Sequence, residues 1–480
     1  MRRTRFLVLS VSVIALAACA AVPVTDKNLP TPDISAKWRA GEQSSVAVQN
    51  GWLDDFNIAE LSNFVDEVLQ NNPDFRATVH RVQSAGFNAK VTRGNFYPTL
   101  NTEFGVSKRS IQNPFVPSND LSFGFNARWE ADVWGRIASQ TAAADADYAA
   151  ALYDLEGARL SLAAQVAQTW FDVMEAAAQL DLAEKTVVSY ERTVQIVRGR
   201  FRRGLSTGLD LRLTISNLEA ARASLENRKN QFDTQRRRLE ILAGRYPAAE
   251  IMATGAIPNL KDDVPVGLPM NLLERRPDLR AAKEKLLSAG YQSQSAGKAL
   301  LPSISITANA NNSSPGFSEM LKFDNIFWNI LGNITQPIFE GGKLRYTAKA
   351  QKELFEAGKK DFTQALLVAF KEVEDALSSD RALKEQVKYT EESAKNAVAA
   401  EHVALDQYSR GLIKIAVLLD SQRRSLDQQS QLLSVKKQRI NNRIALHLAL
   451  GGDFTVSEDI QAQTGKYNAP EGDADKGNAL

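Results

Sequence analysis

Residues 276–306 read RPDLRAAKEKLLSAGYQSQSAGKALLPSISI, and residues 72–102 read NPDFRATVHRVQSAGFNAKVTRGNFYPTLNT. Laid over each other at an offset of 204, they agree at Pro73/Pro277, Asp74/Asp278, Arg76/Arg280, Ala77/Ala281, Ser84/Ser288, Ala85/Ala289, Gly86/Gly290 and Pro98/Pro302, with aromatics matched at Phe87 and Tyr291. An ungapped match of this density marks an internal duplication, which changes how the rest of the chain is read. In each copy a helical pattern runs into a proline and then into alternation of apolar and polar residues. The remainder of the chain is two versions of the segment beyond that junction.

The alternation begins at Leu100, Thr102, Phe104 and Val106, with Asn101, Glu103, Gly105 and Ser107 between them. It resumes at Leu121, Phe123, Phe125, Ala127 and Trp129, interleaved with Ser122, Gly124, Asn126, Arg128 and Glu130. The second copy repeats the design at Ile304, Ile306, Ala308 and Ala310, and again at Ile326, Trp328, Ile330, Gly332 and Ile334, with Phe327 and Leu331 on the wrong face. Strands of this kind suit either a soluble sandwich or a transmembrane barrel, whose strands need ~9–11 residues to span. Periodicity alone leaves both open. Four strands do not close around a channel, since small closed barrels need about eight. In a membrane, several chains would share one barrel, and three of them would leave no strand edge in lipid.

Helix follows each hairpin. Residues 136–200 and 344–410 contain no proline, and ~65 helical residues make a rod of about 95 Å. No compact globular core needs that length, so the rods point to coiled coils or a helical tube. The first rod is rich in alanine, which suits close lateral packing and equally reflects high helix propensity. Each rod ends in a glycine turn, Phe201-Arg202-Arg203-Gly204-Leu205 and Tyr408-Ser409-Arg410-Gly411-Leu412, and these correspond at an offset of 207. Glycine there permits the left-handed residue that stops a helix. Returning helices are expected over about 208–243 and 415–449. Earlier, a short amphipathic helix over 59–70 ends at Asn71-Asn72-Pro73-Asp74, where Asn72 or Asp74 can cap the next one.

The ends of the chain carry different information. Arg2, Arg3 and Arg5 precede a short apolar run, 6–15, and then Leu16-Ala17-Ala18-Cys19. This resembles a bacterial lipoprotein signal peptide over 1–18, cut before Cys19, whose thiol would take a diacylglycerol; an ordinary secretory signal is the alternative. Cys19 is the one cysteine, so no intrachain disulfide forms. Loss of the three arginines would move the formal charge from +2 to −1, and no basic excess marks a nucleic-acid binder. Acyl chains contribute ~0.8 kcal/mol per buried CH₂, and more than one makes anchoring stable. Ala20, in place of an aspartate, favours the outer over the inner membrane on the pattern of lipoprotein sorting. The expected organisation is an acylated tether over 19–58, a first repeat over 59–244 with its hairpin at 99–134, a linker over 245–270, a second repeat over 271–452 with its hairpin at 303–339, and a polar tail over 453–480.

Gly51-Trp52 with Phe56, Asn72-Pro73-Asp74, Trp129-Glu130-x-Asp132-x-Trp134-Gly135-Arg136, Arg275-Arg276-Pro277-Asp278-Leu279-Arg280, Gln336-Pro337-Ile338-Phe339-x-Gly341-Gly342 and the two Arg-Gly-Leu turns occur in one order over roughly residues 50–452. Together they resemble the TolC-like outer-membrane efflux factors, the lipoprotein channels of tripartite pumps. The resemblance implies a mainly α fold with a transmembrane β part: a homotrimer whose twelve-stranded β-barrel continues into a periplasmic α-barrel of twelve helices. It implies that Arg203, Gly204, Leu205, Arg410, Gly411 and Leu412 meet a periplasmic adaptor protein, which joins the channel to an inner-membrane pump, with the RND type as the expectation. It also implies a gate at the periplasmic mouth, with Asp420 as the aperture aspartate and Asp210 as a second position holding the mouth shut. Arg423 and Lys414 are candidate latch partners, and Val417 stands where some members carry another aspartate. Three carboxylates facing one axis would repel each other, raise their pKa and attract cations. As bare residues, the glycines are simply helix stops and Asp420 a solvated side chain. No cofactor is implied beyond the lipid on Cys19.

An enzyme is the rival class. His80, His402 and His447 lack metal-ligand spacing, and no G-x-S-x-G, P-loop or cysteine nucleophile is present. Glu401-His402 reads as a solvated pair, and Arg236-Arg237-Arg238 as a run facing solvent or neighbouring acids, with a polyanion site as the weaker option. A coiled-coil lipoprotein of the envelope is a second rival, although such a spacer has no use for the alternating hairpins.

Overall fold

The computed structural model describes residues 38–40, 51–111, 116–253, 255–260, 269–314, 316–322, 324 and 326–452, with backbone only for 108–111 and 116–120. After a 3-10 turn at Trp52–Phe56, the elements are α1 (Ala59–Asn71), α2 (Pro73–Arg93), β1 (Thr99–Ile111), β2 (Val116–Ala131), α3 (Arg136–Arg202), α4 (Gly208–Leu242), α5 (Leu272–Arg275), α6 (Pro277–Lys298), β3 (Ser303–Ser314), α7 (Phe317–Met320), β4 (Phe327–Thr335), α8 (Lys343–Ser409) and α9 (Ile415–Ala449). The described residues are mostly helical, with one sheet among them. Two compact units are distinguishable, one holding 81–153 and 280–365, the other 33–80, 154–279 and 366–452.

The first unit is built on the sheet. Its order is β1-β2-β3-β4, antiparallel throughout, so the two hairpins pair through β2 and β3. The register sets Phe104 opposite Phe123, Phe125 opposite Ala310, Trp129 opposite Ile306, and Ile304 opposite Ile334. Alternation therefore gathers most apolar residues of the four strands on one face, while Phe327 and Leu331 of β4 lie on the other with Asn311 and Thr307. Much of the apolar face is uncovered in the single chain: Leu100 is 69% exposed, Trp328 69% and Ile334 75%. Such a patch exceeds what a soluble monomer normally leaves open. Among the described residues, no helix is long and apolar enough to cross a membrane.

The passage from strand to rod is fixed by local hydrogen bonds. The Asp132 carboxylate accepts from Ile137 N–H at 2.9 Å and Ala138 N–H at 2.7 Å, so it caps the first turn of α3. Gly135 takes φ +72 to make the turn. Trp129 Nε1 donates to the Phe96 carbonyl at 2.8 Å, and Trp134 Nε1 to that of Pro302 at 2.7 Å. Lys298 Nζ donates to the Gly135 carbonyl at 3.0 Å and the Ser139 hydroxyl at 2.8 Å. The stretch 276–306 is thus a joint in which α6 hands over to β3 beside the strand-to-helix turn of the other repeat.

Between β3 and β4 the sequence pattern gives no element, yet α7 forms there. Asn312 holds it, its buried amide donating to the carbonyls of Glu319 at 3.1 Å, Met320 at 2.7 Å and Lys322 at 3.0 Å. Ile326, expected within a strand, precedes β4, because its pairing to β3 starts at Phe327 opposite Asn311.

The second unit has its own core. Leu61, Phe64, Val65 and Val68 recur at helical spacing on α1 and pack with Trp52 and Phe56 against Trp170, Phe171 and Met174 of α3. Phe56 lies 5.1 Å from the Phe171 ring, and Phe64 lies 5.5 Å from the Trp170 ring. Leu239 and Leu242 of α4 and Ile440 and Ile444 of α9 close the cluster. The duplication has a visible physical cause here. Asn72 caps α2 by accepting from Phe75 N–H at 2.9 Å, and its amide donates to the carbonyl of Leu242 at 2.9 Å. Its counterpart Arg276 donates to the carbonyl of Ala449 at 3.1 Å, and a salt bridge ties it to Glu372 at 2.7 Å. A Cβ on Gly244 would lie 2.8 Å from the Asn71 carbonyl oxygen, and one on Gly451 would lie 3.0 Å from that of Arg275. Both copies need glycine where one helix end meets the next. Near the N-terminus, Trp38 packs on Phe370 of α8 at 6.2 Å, and Glu374 accepts from the N–H groups of Arg39 at 2.8 Å and Ala40 at 2.7 Å. Arg381 completes this clasp on the Ala40 carbonyl.

Candidate functional site at the two helix turns

Both rods end the same way. Leu205 N–H donates to the Arg200 carbonyl at 2.9 Å and Gly204 N–H to that of Phe201 at 2.9 Å, with Gly204 at φ +74. Leu412 N–H donates to the Gln407 carbonyl and Gly411 N–H to that of Tyr408, both at 2.9 Å, with Gly411 at φ +80. This pair of bonds is the Schellman motif, with glycine in the left-handed position. Leu205 and Leu412 follow the glycines and stay open to solvent, as do Arg203 and Arg410. Arg203 Nε donates to the Gly199 carbonyl at 3.2 Å, and Arg410 pairs with Asp406 at 3.1 Å. The six turn residues therefore form two exposed caps of the same construction.

The caps sit on a common core. Val187, Tyr190, Val194 and Val197 of α3 meet Leu218 of α4, Ala404 and Tyr408 of α8, and Ile415, Leu418 and Leu419 of α9. Burial pushes the Tyr190 hydroxyl above its ordinary pKa, with Glu401 and Asp427 adding to the effect. The seam between α3 and α9 is polar in part: Gln422 Nε2 donates to Ser189 at 3.0 Å and Thr193 at 2.9 Å. Arg200 joins the caps. Its guanidinium donates to the carbonyls of Tyr408 and Ser409, each at 3.3 Å, and lies 5.1 Å from the centre of the Tyr408 ring. It thus places a cation at the C-terminal end of α8, where the helix dipole and the last carbonyls favour one.

The two aspartates do different things. Asp210 is the third residue of α4 and completes a capping box. Its carboxylate accepts from Thr207 N–H at 3.0 Å, its own N–H donates to the Thr207 hydroxyl at 3.1 Å, and Ser206 adds a bond at 3.1 Å. Those bonds, led by the one from Thr207 N–H, hold its carboxyl below the ordinary aspartate value. Asp420 makes no backbone cap. Its two oxygens face two guanidiniums, Arg424 Nε at 2.7 Å and Arg423 Nη2 at 2.7 Å. Arg424 first and Arg423 second hold its carboxyl below the usual range. Arg423 also reaches Asp427 at 3.6 Å. Lys414 is the N-cap residue of α9, and the second cation on Asp420 within the chain is Arg424. Within one chain the direction at Asp420 is opposite to the rise expected of a bare acidic ring, because its own helix supplies two cations.

The sequence matches the family model described as outer membrane efflux protein over residues 64–245 and 268–452, a span that includes both turns and both aspartates. The chain belongs to that family. It is 27% identical over 482 residues to the toluene efflux pump outer membrane protein TtgF of Pseudomonas putida, covering 96% of this chain and 100% of that one. It is 27% identical over 448 residues to the cation efflux system protein CusC of Escherichia coli, covering 92% and 97%. The fold resembles the Campylobacter jejuni CmeC outer membrane channel, with a TM-score of 0.84 at 22% identity over 92% of this chain and 98% of that one. As a member of this family, the chain is an outer-membrane efflux protein.

For an outer-membrane efflux protein, two residues of the site escaped the sequence reading. Arg200 could have been found as a cation in the last turn of a long helix. Arg424 could have been found as the partner four residues after Asp420. The histidines fall elsewhere. His447 is buried and bonded to Asp55 at 2.8 Å, and Glu401 accepts from Ser189 at 3.0 Å. Arg236, expected to face solvent or neighbouring acids, pairs with Asp233 at 3.3 Å and also donates Nε to the Ile251 carbonyl at 2.8 Å. Cys19 and the tail over 453–480 lie outside the described residues.

Proposed function

We propose that this protein is the exit duct of a tripartite efflux system, conducting small molecules passively from an inner-membrane pump and a periplasmic adaptor to the outside. One observation carries the reading: a four-stranded sheet with a continuous exposed apolar face and strand edges at β1 and β4. A sheet of this kind in a membrane must close on other sheets, since unpaired edges are not tolerated in lipid. The proposed assembly is a homotrimer whose twelve strands form one barrel and whose α3, α4, α8 and α9 helices form a twelve-helix periplasmic barrel. The proposed adaptor contacts are the two exposed caps, Arg203-Gly204-Leu205 and Arg410-Gly411-Leu412.

The proposed gate is Asp420 with its clasp of Arg423 and Arg424, steadied by the capped start of α4 at Asp210. Lys414 contributes through its position at the head of α9. Cys19 is proposed to carry the lipid that anchors the protein to the outer membrane. No cofactor takes part, and the pump is of the proton-driven RND type in this reading. Single-channel recording of the purified protein in planar bilayers tests it. The expected result is a rarely open wild-type channel and a more often open Asp420→Ala channel. Absence of conductance from both would refute the duct.

A further inference from the structure

The sheet carries a row of residues that the duct reading does not require. Asn101 stands opposite Asn126, Asn126 opposite Asn309, and Asn309 opposite Asn329, so one asparagine from each strand lies in a single cross-strand row. All four lie on the more polar face, between a row that holds Glu103 and Phe327 and a row that holds Arg128 and Leu331. Asparagine is disfavoured in strands, so four in register call for a reason. Three of the amides form a ladder: Asn126 Nδ2 donates to Asn309 Oδ1, and Asn309 Nδ2 donates to Asn329 Oδ1 at 3.0 Å. Asparagine ladders of this kind stabilise stacked strands. The donors run one way, from β2 through β3 to β4. The row reaches the two sheet edges at Asn101 and Asn329, the edges that a second copy would pair. The central side chains are half-buried and still reach solvent.

We infer that this row lines the bore as a neutral amide girdle, continued through the other copies, which hydrogen-bonds water and the polar groups of cargo without selecting their charge. The inference rests on the duct reading. Each amide offers both a donor and an acceptor, so solutes of either sign can shed part of their hydration there. A ring of carboxylates or guanidiniums at the same level would select one sign.

Charge placed in the girdle after folding tests the idea. Asn309→Cys is reacted, as assembled protein in detergent, with a negatively charged sulfonate or a positively charged ammonium methanethiosulfonate, and labelling is verified by mass. Cys19 is the native cysteine, so wild-type protein treated identically is the control. Reversal potentials are then read in planar bilayers under a KCl gradient, in an Asp420→Ala background to favour open channels. The two labels should shift the reversal potential in opposite directions, with the sulfonate raising the cation-to-anion permeability ratio about threefold or more. Asn309→Asp should shift it the same way as the sulfonate. Ala308→Cys, on the apolar face, should give no shift. A conducting channel whose labelled Asn309→Cys form keeps the unlabelled reversal potential overturns the girdle and leaves the duct intact. A thiol at 309 that water-soluble reagents cannot reach overturns it equally. Absence of conductance in the Asp420→Ala background without the cysteine refutes the duct and the girdle with it.

Discussion

The two turns share a design up to their glycines and part company just after. At the offset of 207 that relates them, Thr207 corresponds to Lys414, Asp210 to Val417, and Leu213 to Asp420. The first turn spends its carboxylate on a capping box, while the second has no side-chain cap on α9. The second turn carries instead a carboxylate one turn further on, where a leucine stood, and surrounds it with two arginines. Val417, where an acid would have completed the cap, is 51% exposed. The difference teaches that α9 starts with less local support than α4 and bears a charged cluster near that start. An element drawn from the low-stability end of a structure is the one able to move.

Backbone amide exchange at the two turns is the most direct probe of that difference. The largest effect is expected from the glycines. A β-branched residue in the left-handed region costs about 1–2 kcal/mol. A Cβ at Gly411 would also lie 3.3 Å from an Arg200 nitrogen, whereas nothing lies within 4 Å of one at Gly204. Gly411→Val should therefore speed exchange around its turn roughly thirtyfold, and Gly204→Val around its own by less. Equal effects would show that Arg200 does not brace the second turn. Next come the caps. Thr207→Ala should destabilise the start of α4 by about 1 kcal/mol, and the pair Lys414→Thr with Val417→Asp should stabilise the start of α9 by a similar amount. If the double variant leaves α9 unchanged, the missing cap does not explain the contrast.

Acid gives a smaller effect with a defined sign. Asp210 has its pKa lowered from 3.8 by the Thr207 N–H, so its contribution is fully present above that value. It is lost as pH falls through the lower folded value. Protection at the first turn of α4 should decline as pH drops below 3.8, and the Thr207→Ala protein should show less of that decline. The smallest structural effect is expected at Asp420, whose ion pairs are exposed and screened. Asp420→Asn should leave exchange at the start of α9 unaltered while raising channel opening in bilayers. A protein in which both move together would make Asp420 a structural residue rather than a gate.

Much of this was legible in the sequence because its signals are periodic. Phe104, Phe123 and Trp328 alternate with polar neighbours whatever they pack against, and proline-free rods announce their own length. The four-residue helix α7 has no period to read; it depends on the three carbonyls that Asn312 gathers. The local role of Asp210 was legible as well. Thr207-x-x-Asp210 is a readable capping pattern, and the bonds it forms fix the start of α4. Arg424 was legible by spacing alone, four residues from Asp420. Arg200 was legible as a cation in the last turn of α3, but its partners Tyr408 and Ser409 lie on a turn far away in sequence, which no local pattern states.

The clasp at Trp38, Arg39 and Ala40 turns the N-terminal segment into a ruler. With an acyl chain on Cys19, the stretch from that residue to Trp38 is a leash whose fully drawn length is roughly 65 Å. Glu374 and Arg381 fasten its far end to α8. A segment pinned in this way at both ends would limit how far that part of α8 can recede from the lipid surface. With Cys19 so anchored, shortening the leash would lower that limit without touching a strand or a turn.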